Sequence, residues 1–256
     1  MTAQLNLTRD EEPMAIPYIP DPHNKQLLPL GVDPSTSRPI TLDLDLYPHL
    51  AIAGWTGGGV TSAMRLIAAH TVATGGTVTI VDPSICSFEA LENVPGIDIH
   101  TDVDVMSKAI TDVHAEMTAR FEAGRKGPRR LLAIDGLPLL VRQARLEEYG
   151  ELATSLRLLK EILHVGRAAD CHLVVDIDRT SLRWLGRQPF ESATTLLLGK
   201  NSRDFVERLG IDSRLQRAYR GAGVLRTPGT DGRQIAVAYL TDEQAAVVAS
   251  RPQVTG

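Results

Sequence analysis

The stretch that most constrains this chain of 256 residues is HLAIAGWTGGGVTS, from His49 to Ser62. It runs from an apolar segment through a cluster of glycines into a segment with helical spacing. It therefore predicts a buried strand, a tight turn and the start of a helix. Backbone N–H groups at such a helix start attract anions. The stretch is typical of a phosphate-binding loop, although a glycine turn that only packs the strand against the helix would explain the same residues.

The spacing of the loop matches the pattern G-x-x-x-x-G-K-[ST] with one exception. Gly54 and Gly59 stand at the two glycine positions, and Thr61 stands where a hydroxyl binds magnesium. Val60 stands where the lysine belongs, and no nearby lysine in the sequence replaces it. Because that lysine stabilises the β- and γ-phosphates, we expect weak binding of ATP and magnesium and impaired hydrolysis. The candidate nucleotide-binding residues are Gly54, Thr56, Gly57, Gly58, Gly59, Val60, Thr61 and Ser62.

Apolar segments of strand length alternate with segments of helical spacing along most of the chain. Strands are predicted at 27–33, 38–44, 49–54, 77–83, 131–135, 172–178 and 193–199, helices at 61–73, 103–121, 147–169 and 202–209, and a closing hairpin at 222–240. This order predicts an α/β fold with a mostly parallel sheet covered on both faces. We divide the chain into an extended N-terminal arm (1–26), one core (27–240) and a C-terminal tail (241–256).

Composition excludes several classes of protein. Hydrophobic residues make up 43% and charged residues 23%, which is typical of a globular domain. The two cysteines, Cys86 and Cys171, are too few for a disulfide framework or a four-ligand zinc site, and we expect Cys86 to be a buried thiol. The apolar runs are too short to cross a bilayer, and the polar, acidic N-terminus is no signal peptide. We therefore expect a cytoplasmic protein with no membrane segment.

Basic residues are concentrated in the second half of the chain, and 22 of the 27 are arginines. Arg125, Lys126, Arg129 and Arg130 form a basic turn that is a candidate contact for the phosphodiester backbone of duplex DNA. A solvated turn explains these residues equally well. Aromatic residues make up 4%, and none lies among these cations, so base stacking on single strands has no support.

Two further groups of residues have ordinary structural interpretations. Asp176 and Asp178 end a predicted strand and would present carboxylates for a cation, but pairing with Arg179 or Arg183 is the favoured interpretation. The histidines have no acidic or cysteine partner at ligand spacing, so we interpret them as core or surface residues.

Four blocks of sequence occur in the order of a known family. They are PLGVDPSTSRPITLDLDLYPHLAIAGWTGGGVTS (29–62), VDPSICSFEAL (81–91), RRLLAIDGLPLL (129–140) and HVGRAADCHLVVDIDRT (164–180). Together they resemble the FtsK/SpoIIIE family of hexameric DNA-pumping ATPases. The resemblance covers about residues 28–227 and implies a RecA-like P-loop NTPase core with a small N-terminal β-arm. It also implies that Asp135, with Thr61, would hold magnesium.

The same resemblance shows three replacements among the residues that act on the γ-phosphate. Val60 replaces the loop lysine, Gly136 replaces the glutamate that orients the attacking water, and Asp178 replaces the phosphate-sensing glutamine. No catalytic residue is therefore intact by this comparison. The first hypothesis is a hydrolysis-deficient DNA-binding or assembly subunit that forms a homo- or hetero-oligomer with an FtsK-like motor.

Two alternatives remain open at this stage. One is an active, ATP-dependent translocase that binds double-stranded DNA without sequence preference and tolerates an unusual loop. The other is a degenerate ATPase module that binds a protein partner, as in type VII secretion motors.

Overall fold

The computed structural model describes residues 16–19, 27–85, 87–146, 150–186 and 192–250. Within these ranges the chain forms one sheet with helices on both faces. The strands are β1 (Ile16–Pro17), β2 (Leu27–Val32), β3 (Pro39–Asp43), β4 (His49–Gly54), β5 (Thr77–Val81), β6 (Ile97–His100), β7 (Arg130–Ile134), β8 (Cys171–Asp176), β9 (Thr194–Leu198), β10 (Ala222–Arg226) and β11 (Arg233–Tyr239). The helices are α1 (Val60–Ala73), α2 (Val103–Glu122), α3 (Leu137–Leu146), α4 (Glu151–Ala169), α5 (Arg179–Leu185), α6 (Arg203–Arg208) and α7 (Asp242–Ala249).

The sheet has the strand order β3-β2-β11-β10-β9-β4-β8-β7-β5-β6, and β1 pairs with β11. The six strands from β9 to β6 are parallel. The strands β10, β11, β2 and β3 extend the sheet in antiparallel pairs. The predicted mostly parallel sheet and the predicted closing hairpin are confirmed.

One apolar core lies on each face of the sheet. Helices α1 and α7 cover one face together with the side chains of the N-terminal strands, and helices α2, α3 and α4 cover the other. In α4 the apolar residues Leu152, Leu156, Leu159 and Leu163 recur every three or four positions, and all four are buried. Gly166 of the same helix lies so near the next strand that a Cβ there would come within 2.3 Å of the carbonyl oxygen of Cys171.

Four elements, β6, α3, α5 and α7, were not predicted from the sequence. β6, α5 and α7 are short, so their periodicity is weak, whereas α3 has buried apolar residues at helical spacing, Leu137, Leu140, Val141 and Ala144, that were visible in the sequence. Asp178 and Thr241 cap α5 and α7 through capping boxes. Helix α7 lies in the segment 241–256 that we interpreted as a tail, yet Ala245, Val248 and Ala249 are buried.

Several predicted features fall outside the described residues. These are most of the arm 1–26, the thiol of Cys86, the first residues of the helix predicted at 147–169, and the end of the tail beyond residue 250. Cys171 is buried and is not in a disulfide bond. Across the described ranges, no helix combines the length and the apolar character that crossing a bilayer requires.

Candidate functional site

The glycine loop connects the carboxyl end of β4 to the first residue of α1, as the sequence predicts. Gly57 and Gly59 have φ angles of +80° and +102°, which L-residues with a side chain rarely adopt. Gly59 is the N-cap of α1 and makes no side-chain capping bond. The first backbone N–H groups of the helix therefore face the space in front of the loop.

A cavity of about 600 Å³ lies in front of this loop, at the carboxyl edge of the parallel strands. Ligands in open parallel sheets bind at this edge because the helix N-termini and the loops converge there. Seven of the eight predicted loop residues line the cavity: Gly54, Thr56, Gly57, Gly59, Val60, Thr61 and Ser62. The eighth, Gly58, lines a neighbouring cavity of about 330 Å³ between the loop and β11.

Thr61 and Asp135 are the two residues predicted to hold magnesium, and the fold brings them together. The hydroxyl of Thr61 donates a hydrogen bond of 2.6 Å to Oδ2 of Asp135. Burial raises the pKa of Asp135 above its usual value, and the bond from Thr61 acts against that rise. A hydroxyl and a carboxylate are hard oxygen ligands, so the pair fits the chemistry of a magnesium site.

Val60 and Gly136 stand at two positions where the resemblance implies a lysine and a glutamate. The Val60 side chain packs against the hydrophobic core, and its Cγ2 lies 2.8 Å from where a Cβ on Gly54 would be. Gly136 has a φ angle of +121°, and a Cβ there would lie 2.6 Å from Cγ of Pro83. A glutamate at position 136 would therefore require the backbone to change its conformation or Pro83 to move.

Asp178 acts as a helix cap. Its carboxylate accepts hydrogen bonds from the N–H groups of Thr180 and Ser181, and it pairs with Arg142 at 3.4 Å. The favoured pairing of Asp176 or Asp178 with Arg179 or Arg183 is wrong: the Arg179 guanidinium is instead bound to Ser202 and Asp204, and Arg183 makes no ion pair among the described residues. Asp178 is thereby engaged with the protein itself.

Asp176 caps α3, the helix that follows β7. Its Oδ1 accepts hydrogen bonds from the backbone N–H groups of Gly136, at 2.9 Å, and Leu137, at 2.7 Å. Burial raises the pKa of Asp176 to about 7, despite these two donors. This carboxyl group lines the cavity beside Asp135, and its bonds explain its position without a bound cation.

Three residues that were not predicted from the sequence shape the cavity. Arg220 lies over the loop, with its Nη2 4.0 Å from where a Cβ on Gly57 would be. Arg142 lines the same cavity from α3. The indole of Trp55 covers the backbones of Gly58 and Gly199. The one available signal for Arg220 was its position, next to Gly221 and directly before a predicted strand.

The basic turn does not present its four cations on one surface. Arg129 is 7% exposed and is bound by Asp45 and Asp170, while Arg130 is bound by Glu116 and by the hydroxyls of Thr77 and Thr79. This corrects the expectation that both face a DNA backbone. Only Arg125 and Lys126 are exposed. The turn precedes β7, so it lies at the sheet edge opposite the glycine loop.

Two histidines, His49 and His172, are buried and are hydrogen-bonded within the protein. His49 is buried in β4, its Nδ1 accepts a hydrogen bond from the N–H of Leu173, and burial lowers its pKa to about 3. His172 is buried between Asp170 and the carbonyl oxygen of Pro48. In the part of the chain that the structure describes, no three metal-ligating side chains converge.

The fold is similar to those of several solved structures. The structure matches the cytoplasmic domain of the type VII secretion ATPase EccC of Thermomonospora curvata, with a TM-score of 0.70 and 18% identity, over 89% of this chain and 28% of that one. It matches the pCW3 conjugation coupling protein TcpA with ATPγS, with a TM-score of 0.71 and 17% identity, over 93% of this chain and 74% of that one. ATPases 2 and 3 of Thermomonospora curvata EccC, solved with a signal sequence peptide, match with a TM-score of 0.72 and 19% identity, over 89% of this chain and 43% of that one.

The fold is thus that of the RecA-like P-loop ATPases, and these structural neighbours are of the FtsK/SpoIIIE type. The resemblance stated from the four sequence blocks is confirmed at the level of the fold. The chain spans about a quarter of the first EccC chain, so that protein is much larger than the unit described here. No protein-family model and no curated protein matches the sequence.

Proposed function

We propose that this chain is an FtsK/SpoIIIE-type domain that binds a phosphate-bearing ligand at its glycine loop and does not hydrolyse ATP. The observation that carries the proposal is the set of residues that line the 600 Å³ cavity in front of the glycine loop. It keeps the anion-attracting loop and the Thr61–Asp135 pair, whereas the three positions that act on a γ-phosphate are changed. A domain that still binds phosphate but no longer hydrolyses ATP would have both the retained loop and the changed positions.

The losses are built into the packing around the cavity. Val60 presents an apolar side chain that lines the cavity and packs in part against the hydrophobic core, position 136 has a backbone conformation suited to glycine, and Asp178 is occupied in capping α5. Hydrolysis needs a cation on the transferred phosphate and a group that orients the attacking water. The described residues supply neither group at the family's positions.

Magnesium would be held by Thr61 and Asp135 when a nucleotide is bound. The ion would supply positive charge that offsets the negative charge of the phosphate group. The residues of the chain do the rest: the loop N–H groups bind the phosphate, and Asp135 orients the Thr61 hydroxyl through their hydrogen bond. Binding of a nucleotide by one structural neighbour, TcpA with ATPγS, supports this assignment.

In the cell, such a domain would serve as an assembly subunit beside an active motor of DNA transfer or protein secretion. The neighbours that support this role are a conjugation coupling protein and a type VII secretion ATPase. A P-loop domain that binds without turnover would complete a ring without consuming ATP at its own site.

Two other functions remain as candidates. Contact with duplex DNA rests on the exposed Arg125 and Lys126, with Arg129 and Arg130 held inside the protein. Binding of a protein segment is supported by the neighbour solved with a signal sequence peptide and by the smaller cavity beside Val237, Ala238 and Tyr239. An active DNA translocase is the least compatible with the packing of Val60 and Gly136.

The test combines calorimetry with an ATPase assay on the full chain. Titration with Mg-ATP and Mg-ADP, with and without duplex DNA, should give measurable binding and no turnover above background. Turnover near 1 per second, the lower end of the usual enzyme range of roughly 1 to 1000 per second, would contradict the loss of hydrolysis. Absence of binding to either nucleotide would contradict the binding half.

A further inference from the structure

We propose that Arg220 supplies, from the opposite wall of the site, the cation that the glycine loop lacks at Val60. In this arrangement Arg220 holds the diphosphate group of a nucleoside diphosphate against the loop. The inference rests on the proposed binding function and names the residue and the ligand class through which that function works.

The position of Arg220 is the first support. Its guanidinium lies over the tip of the loop, with Nη2 4.0 Å from where a Cβ on Gly57 would be. Position 57 is a glycine with a φ angle of +80°, and because glycine has no side chain, none stands between the guanidinium and the loop backbone. Among the described residues outside the loop, Arg220 alone lines both the 600 Å³ cavity and the 330 Å³ cavity.

The second support is that the guanidinium of Arg220 is not engaged within the protein. The other two arginines near the loop are held by carboxylates: Arg142 by Asp178 and Arg65 by Asp242. Within the described ranges, Arg220 has no carboxylate at ion-pair distance and no hydrogen-bond partner. A cation that faces the positive end of α1 without a counterion makes the space between them favourable for an anion.

The chemistry of the two walls indicates the ligand. A guanidinium presents a planar fork of donors that binds phosphate oxygens in pairs, whereas the loop presents single N–H donors. Two phosphate groups would satisfy both walls. Since the groups that act on a γ-phosphate are changed, a diphosphate is the better match to this site than a triphosphate. The smaller cavity beside Val237 and Tyr239 then leaves apolar space for the rest of the ligand.

The experiment measures the affinity of the full chain for two probes, Mg-ADP and inorganic pyrophosphate, by calorimetry. Arg220→Ala should weaken both by about tenfold, the usual effect of losing one charge-assisted contact with phosphate. Arg220→Lys should recover part of the affinity, because it restores the charge without the fork. Thermal unfolding of each variant checks that the fold is retained.

Arg217→Ala is the matched control. Arg217 is an exposed arginine of the same segment, and its guanidinium donates to the backbone carbonyl oxygens of Arg214 and Gln216, away from both cavities. This variant should change the affinity for either probe by less than about twofold, the experimental scatter expected where no contact with the ligand is lost.

A double variant tests whether the two cations act on the same phosphate. Val60→Lys in the Arg220→Ala background should recover the lost affinity, since the new ammonium would replace the deleted guanidinium. Unchanged affinity of Arg220→Ala, with binding by the wild type intact, would overturn the role of Arg220 alone. Failure of the wild type to bind either probe would overturn both this inference and the proposed binding. If the wild type hydrolyses ATP and Arg220→Ala still weakens nucleotide binding, only the proposed loss of hydrolysis would be overturned.

Discussion

The hydroxyl of Thr61 donates a 2.6 Å hydrogen bond to Oδ2 of Asp135, although the two residues are 74 positions apart in the chain. The bond joins the first turn of α1 to the end of β7, two strands away from β4 in the sheet. It therefore fixes the glycine loop relative to the carboxyl edge of the sheet. The same two oxygens are the candidate ligands of magnesium.

Removing this hydroxyl should affect both stability and magnesium dependence. Thr61→Val leaves the Asp135 carboxylate without its donor, and we expect a loss of roughly 1–2 kcal/mol in the free energy of unfolding. The dependence of ADP affinity on magnesium should also disappear. Denaturant unfolding and calorimetry with and without magnesium measure the two effects.

The control for this change is Thr118→Val. The Thr118 hydroxyl donates only to the carbonyl oxygen of His114 in its own helix, so stability should change by less than about 0.5 kcal/mol. Equal effects of the two substitutions would contradict a special role for the Thr61–Asp135 bond.

Restoring the loop lysine should improve binding but not catalysis. Val60→Lys should tighten ATP binding by about tenfold, because it adds one charge-assisted contact with phosphate. Turnover should stay at background, since no carboxylate at position 136 orients the water. A burst of phosphate release from this variant would show that hydrolysis needs only the lysine here.

Restoring the glutamate as well should fail for a conformational reason. Position 136 has a φ angle of +121°, and a Cβ there would lie 2.6 Å from Pro83. We expect Val60→Lys/Gly136→Glu to be less stable than Val60→Lys by roughly 1–3 kcal/mol and to remain inactive. Gly136→Ala carries the same Cβ without the carboxylate, so an equal loss of stability in that variant would assign the effect to the backbone.

Asp176 should make the stability of the protein depend on pH. Its pKa is about 7 in the folded protein against an ordinary value of 3.8, because burial disfavours the charged form. An acid with a raised pKa stabilises the fold fully below pH 3.8, and this contribution is lost as the pH rises through 7. The contribution of Asp176 to the free energy of unfolding should fall across this range on the order of a few kcal/mol, while the titration of His49 acts in the opposite direction.

Asp176→Asn removes the titration and keeps an oxygen that can accept from Gly136 and Leu137. Its stability relative to the wild type should increase between pH 4 and pH 8, as measured by denaturant unfolding at each pH. Because this is a difference between two chains, the titration of His49, which weakens the wild type below pH 6.5, cancels. A difference that is flat with pH would contradict the buried, protonated carboxyl.

Substitutions in the basic turn should affect stability at the buried Arg129 but not at the exposed Arg125 and Lys126. Arg129→Glu would place a carboxylate beside Asp45 and Asp170 in a buried position, so we expect a loss of about 3 kcal/mol or more in stability. Arg125→Glu/Lys126→Glu should leave stability within about 0.5 kcal/mol, because both side chains are exposed.

The surface pair also provides the test of DNA contact. If the wild type binds duplex DNA, Arg125→Glu/Lys126→Glu should reduce the slope of log affinity against log salt by about 0.9 for each lost phosphate contact. Gel-shift titrations across a salt series measure that slope. Wild-type binding with an unchanged slope in the double variant would place any DNA contact elsewhere.

Most strands of the sheet and the position of the site follow from local patterns in the sequence. The strand, glycine loop and helix from His49 to Ser62 lie within one local stretch, and the buried strands are continuous apolar runs, so their periodicity is visible without tertiary contacts. Helices α5 and α7 escaped prediction because each is short and depends on capping bonds and on the surface that it covers, whereas α3 has apolar residues at helical spacing that the sequence already offered.

Which charged side chains are available to bind a ligand depends on the tertiary structure. Arg129 and Arg130 read as part of a basic surface, yet the fold places carboxylates and hydroxyls around them from strands and helices that are distant in sequence. Arg220 gave almost no sequence signal, yet the turn into β10 brings its guanidinium over Gly57. The meaning of a charged side chain depends on its neighbours in space, and long-range pairing of strands sets those neighbours, whereas the glycine loop carries its geometry in consecutive residues.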